Sequence, residues 1–189
     1  MKHISNQFRL TFLVLLISLT SKVQCATTIA QHKRKVPAAY GYILQPGDQA
    51  PIFSMTLTDG TKVSTNDWKG KVVMLQFTAS WCGVCRREMP HIEKEIWEKH
   101  KDNPDFVLIG VDRDEPLNVV KRYASDMKIT YPLGLDPGAD IFGLFADKDA
   151  GVTRNVIIGK DGKIAYMTRL FKMDEFNQMK EVIDSLLKQ

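Results

Sequence analysis

The sequence predicts an α/β fold: a mixed central sheet with helices on both faces, opened by an N-terminal β-hairpin extension. Three observations carry this. Two runs, "VVMLQFTA" (Val72 to Ala79) and "FVLIGVD" (Phe106 to Asp112), are apolar without alternation, as strands buried on both faces are. Each is followed by apolar residues at helical spacing. The chain then closes on a strand-turn-strand pattern and an amphipathic stretch, which makes the sheet mixed and covers it from both sides.

Taken in order, Gly47 to Val63 alternates around Phe53, Met55 and Leu57 and turns at Asp59-Gly60, which predicts the opening hairpin. Ser64 to Trp68 predicts a short helical turn, and Lys69-Gly70-Lys71 leads into the first buried strand. A helix is predicted from Cys82 to about Lys101, with Met89, Ile92, Ile96 and Trp97 on one face and a bend at Pro90, where an interior proline removes a backbone bond. After the second buried strand, Asp114 or Glu115 ahead of Pro116 marks the start of a helix carrying Val119, Val120, Tyr123 and Met127. Tyr131 to Leu135 reads as a short strand and Asp140 to Phe145 as a short helix. "VTRNVIIG" and "IAYMT" form a hairpin about Lys160 to Lys163, and the last helix runs from about Asp174 to Leu187.

Lys2 and Arg9 precede the apolar run Leu10 to Leu19, about half the length a membrane-spanning helix needs. This is the pattern of a secretory signal peptide over residues 1–25, cut before Ala26. Residues 26–45 read as a polar linker and 46–189 as the folded domain. The alternative is a lipoprotein anchored to the membrane through Cys25. The formal charge of +4 contains Lys2, Arg9 and Lys22, so the chain from residue 26 carries 23 basic and 22 acidic side chains. That near-balance argues against a nucleic-acid binder.

Beyond Cys25 the cysteines are Cys82 and Cys85, in "SWCGVCRREMP". Three roles are open to them. A structural staple gains little, because the stabilisation from a disulfide grows with the loop it closes. A closed zinc site needs four ligands, and the histidines, His3, His32, His91 and His100, supply no second pair. Redox exchange suits the position: a cysteine at a helix start has its thiolate favoured by free N–H groups and the helix dipole. Cys82 would then attack, and Cys85, one turn on, would resolve the mixed disulfide. Glu88 lies about 60° around the helix from Cys85; on spacing alone it is an ordinary exposed glutamate.

The stretch "FTASWCGVCRREMP" resembles the thioredoxin superfamily, and within it the exported TlpA/ResA-like thiol-disulfide oxidoreductases. "GDQAPIF", "DGTKVS", "WKGKVVMLQFTASWCGVCRREMP", "IGVDRDE" and "VTRNVIIGKDGKI" follow in the family's order from Gly47 onward. The resemblance implies a thioredoxin-like fold, Cys82 as nucleophile, Cys85 as resolving cysteine and Glu88 as an active-site glutamate. Gln76 stands where cytoplasmic thioredoxins carry a buried Asp. Thr153 stands where the family usually has a cis-proline, and a cis bond before a non-proline residue costs about 2.5–4 kcal/mol. Trp81, Thr153 and Arg154 are expected to face the substrate.

The implied activity is exchange of a Cys82–Cys85 disulfide with thiol- or disulfide-bearing proteins of a bacterial periplasm or cell envelope, as a reductant. It implies no cofactor, no metal, a monomer, and an envelope electron donor or acceptor. Thr153-Arg154 is also similar to peroxiredoxins, which use an arginine near this loop. Their reactive cysteine, however, follows a Thr or Ser by three residues, where this chain has Ala79 before Cys82 and Cys82 before Cys85. A copper carrier on the same fold would show Cys-x-x-x-Cys and a distant His.

Overall fold

The two unbroken apolar runs form the middle of the sheet. In the computed structural model, which describes residues 35–189, β3 (Val72–Thr78) is buried along its whole length and pairs in parallel with β4 (Phe106–Arg113). The expected signal peptide and linker residues 26–34 lie outside the described residues. The hairpin of β1 (Ser54–Leu57) and β2 (Lys62–Ser64) forms one edge, and β5 (Leu133–Asp136) joins it to β4. On the other side β6 (Arg154–Ile158) runs antiparallel to β3, with β7 (Ile164–Arg169) outside it. The order is β2-β1-β5-β4-β3-β6-β7.

Side chains alternate along β3, so one strand feeds two cores. Val73, Leu75 and Phe77 pack with Phe53, Phe142 and Phe145 on one face. Val72 and Met74 pack with Met89, Ile92, Met179 and Ile183 on the other. That second face is covered by α1 (Gly83–Ile92), α2 (Leu117–Met127) and, after the short α3 (Asp140–Gly143), by α4 (Met173–Leu187). α1 does not stop at Pro90. It continues into a wider π turn over Glu93–Trp97 and ends at His100, so the distortion expected at the proline falls one turn later.

Two local readings are revised. α2 has no side-chain cap: Asp114 accepts the Gly138 N–H at 2.7 Å and Glu115 is engaged with Ser80, so Pro116 alone sets the start. Residues 36–45, read as the end of a linker, lie on the core. Tyr42 is buried and its hydroxyl donates to the Thr168 carbonyl at 2.6 Å, while Val36, Tyr40 and Leu44 pack alongside. A tyrosine ring with a satisfied hydroxyl offsets the polar character of its neighbours.

Gly110 in β4 is set by close approach. A Cβ there would overlap the Leu133 methyl and press on the Tyr131 ring, which must pass over it to donate to Gln76 at 2.7 Å. Gly110→Ala is expected to destabilise the fold by about 1–3 kcal/mol, the cost of overpacking. Chemical denaturation checks this; an unchanged midpoint would contradict the packing argument.

Candidate active site

β3 ends at Thr78, and a tight turn through Ser80 and Trp81 brings the chain to Cys82 at the start of α1. Cys82 has extended backbone (φ −86°, ψ 102°), and its Sγ accepts the Cys85 N–H at 3.2 Å. The sulfur therefore occupies the capping position that favours negative charge. Cys85 lies one turn on with its Cα 5.3 Å away, and the two are joined in a disulfide. Cys82 is 7% exposed and Cys85 is fully buried. Only the first sulfur meets an incoming molecule.

Thr153 precedes β6 and reaches both sulfurs, its Oγ1 lying 3.1 Å from Cys82 Sγ and 3.3 Å from Cys85 Sγ. All peptide bonds among the described residues are trans, including that before Thr153. The Thr153 carbonyl accepts the N–H of Leu170, whose side chain is exposed. Trp81, 64% exposed, projects beside Cys82 as an apolar surface. Arg154 does not face the substrate as expected. It is fully buried, because strand alternation turns it to the side opposite Thr153; its guanidinium stacks 4.4 Å over the Tyr42 ring and its Nε donates to the Gly151 carbonyl.

Glu88 is not the exposed glutamate that spacing alone suggests. It is 1% exposed, on the inner side of α1 one turn after Cys85, where Oε1 accepts from Asn155 Nδ2 at 2.7 Å and Oε2 has no hydrogen-bond partner. Burial pushes its pKa from 4.5 up to about 7, against the opposing pull of the Asn155 and Gln76 amides. Asn155 is paired in register with Gln76 and also donates to Thr168 Oγ1 at 2.9 Å. A buried carboxyl poised near neutrality beside a sulfur pair can take up and return a proton at physiological pH.

The structure thus joins Cys82, Cys85 and Thr153, leaves Trp81 exposed next to Cys82 in the chain, buries Glu88 one turn after Cys85, and sets Arg154 apart. Asn155 was not anticipated. The available signal was one polar residue inside the otherwise apolar strand "NVIIG", as Gln76 is inside "VVMLQFTA".

Comparison with known proteins agrees with this geometry. The Redoxin family model matches residues 45–183. The chain is 33% identical over 121 residues to the thiol-disulfide oxidoreductase ResA of a Bacillus cereus strain, covering 64% of this chain and 68% of that protein. It is 36% identical over 94 residues to the thioredoxin-like protein YneN of Bacillus subtilis (strain 168), covering 49% and 55% respectively. A solution structure from Bacteroides thetaiotaomicron, whose name proposes a protein disulfide isomerase, superposes with a TM-score of 0.78 at 59% identity over 79% of this chain and 94% of that one.

Proposed function

Because the chain belongs to the Redoxin family and is a thiol-disulfide oxidoreductase of the TlpA/ResA-like kind on a thioredoxin-like fold, we propose that it reduces disulfides of partner proteins through Cys82 and Cys85. The observation that carries the assignment of roles is the unequal exposure of the two cysteines, Cys82 at a helix start with 7% of its surface open and Cys85 fully buried one turn on.

The Cys82 thiolate attacks one sulfur of the partner disulfide; that bond breaks and the other sulfur leaves as a thiolate and takes a proton. Cys85 gives its proton to the Glu88 carboxylate and attacks Cys82 Sγ. The bond from Cys82 to the partner breaks, and the second partner sulfur leaves and is protonated through Glu88. Two electrons pass from the cysteine pair to the partner; of the two protons the partner gains, one comes from Cys85 through Glu88 and the other from the solvent that took the Cys82 proton when its thiolate formed, and an electron donor must reverse the change. Trp81 offers the docking surface, with Thr153 closing the site over the sulfurs.

The setting on this reading is the bacterial cell envelope, with 1–25 as a removed leader, a tether from residue 26 that ends where the chain joins the core at Val36, and a monomeric domain beyond; the leader pattern of Lys2, Arg9 and Leu10 to Leu19 supports it. The test is Cys85→Ser, expected to accumulate a mixed disulfide between Cys82 and partners, visible as an adduct that reductant dissolves. Absence of any adduct in the native host would overturn the exchange mechanism. The reduction potential of the pair sets its direction: near about −270 mV it is a reductant, near about −120 mV an oxidant.

A further inference from the structure

One buried carboxyl on the face of the sheet that α1 and α2 cover takes no part in the exchange just described. Asp112 of β4 is fully buried and neither of its oxygens meets a hydrogen-bond donor. Every element around it contributes a group. From β3 comes Thr78, its pair in register, with its hydroxyl 2.9 Å from that of Tyr123 on α2. Arg86 of α1 stacks on the far Tyr123 ring, 5.5 Å from its centre. From the end of β5 comes Asp136, whose oxygens are already taken by the N–H groups of Ile141 and Phe142 at 2.7 and 2.8 Å. The fourth neighbour is Glu115, three residues further along the chain.

Glu115 grips the active-site turn. Its two oxygens accept the Ser80 N–H at 2.5 Å and the Ser80 hydroxyl at 2.6 Å, while Arg86 Nη1 donates to the Ser80 carbonyl at 3.3 Å. Ser80 begins the turn that carries Trp81 and Cys82, and the Cys82 N–H closes it on the Ala79 carbonyl at 3.1 Å. Glu115 is itself held in place by Asp114, which takes a left-handed φ of 58°, and by Pro116.

We propose that Asp112 and Glu115 are a positioning pair for the exchange reaction: neutral Asp112 lets Glu115 stay clamped on Ser80, and the clamp fixes the turn that presents Trp81 and Cys82. This rests on Cys82 being the attacking sulfur. Asp112 is buried, and the charges that act on it are those of acids, so its charged form is disfavoured twice, by desolvation and by like charge; its pKa is pushed up to about 8, with burial the larger cause and Glu115 and Asp136 the rest. Once Asp112 loses its proton, it repels the half-buried Glu115 toward solvent, and the grip on Ser80 is released.

The disulfide form gives a clean test, since no thiol titrates in it. The Ser80 amide proton is followed by NMR from about pH 6 to pH 10. A proton in a short bond to a carboxylate is expected well downfield at the low end and moves upfield with a midpoint near about 8. Asp112→Asn, which cannot ionise, holds the downfield position throughout. Glu115→Ala loses it at every pH and slows attack by Cys82 on a protein disulfide about tenfold or more, the order of effect of a misplaced reacting group, with the reduction potential unchanged. Glu115→Gln, which keeps one acceptor, recovers part of that rate. A Ser80 signal that does not titrate, or titrates alike in Asp112→Asn, overturns the proposal. So does an unaltered rate in Glu115→Ala, a variant at a half-buried position that keeps the test open should Asp112→Asn not fold. A wild-type chain without exchange activity overturns the functional half whatever Ser80 does.

Discussion

Cys82→Ser is expected to abolish exchange. A serine hydroxyl cannot form the mixed disulfide, and removing an enzyme's sole nucleophile costs on the order of 10⁶ in rate. Cys85 does not substitute for it, because it is sealed while Cys82 reaches the surface. Two readouts check the assignment. Reduction of a protein disulfide by the prereduced chain should vanish in Cys82→Ser, whereas Cys85→Ser should still attack once and stall as the adduct. Brief alkylation of the reduced wild type should label Cys82 ahead of Cys85. Activity surviving in Cys82→Ser and lost in Cys85→Ser would reverse the two roles.

The second large effect belongs to Glu88. Its folded pKa, about 7, lies above the ordinary 4.5, so between those values the folded chain binds a proton that the unfolded chain has released. Stability from this group is fully present below about pH 4.5 and is lost as pH rises through 7. The rise corresponds to about 3 kcal/mol, at 1.36 kcal/mol per unit. Glu88→Gln keeps the shape and cannot ionise, so in the disulfide form it is expected to be more stable than wild type at pH 8 by up to about 3 kcal/mol, with the difference closing toward pH 4.5. In the reduced form the same change removes the proton acceptor of Cys85. Resolution of a preformed mixed disulfide should slow about 10²–10⁴-fold, and its rise through pH 7 should disappear. Denaturation at several pH values and single-turnover resolution measure the two effects. A variant less stable than wild type at pH 8, with resolution unchanged, would remove Glu88 from the mechanism.

The architecture could be read from the sequence where burial is uniform. β3 and β4 are sealed over most of their length, so nearly every residue is apolar, and the runs show it; Gln76, Thr78 and Asp112 are the buried exceptions. The cysteine pair was legible because its spacing and its place before a helix are themselves the chemistry. Glu88 could not be settled in this way. A helical wheel puts it at the margin of the apolar face, and what places it inside is Asn155, 67 residues later in the chain. The start of α2 was misplaced for a related reason: Asp114 and Glu115 have the composition of a cap, but Gly138 and Ser80, brought close by the sheet, compete for them and win. Local rules failed at the positions where long-range partners form the site.

The packing of Tyr42 on Arg154 bears on how this chain relates to its kin. The family match begins at residue 45, yet the aromatic ring that shelters a fully enclosed cation lies before that point. The unit that folds therefore reaches further toward the N-terminus than the span the family model matches. A chimera whose leading segment put no aromatic ring at position 42 would leave the guanidinium without its cover. Substitutions at positions 42 and 154 should therefore be inherited as a pair, although the two residues stand far apart in the chain.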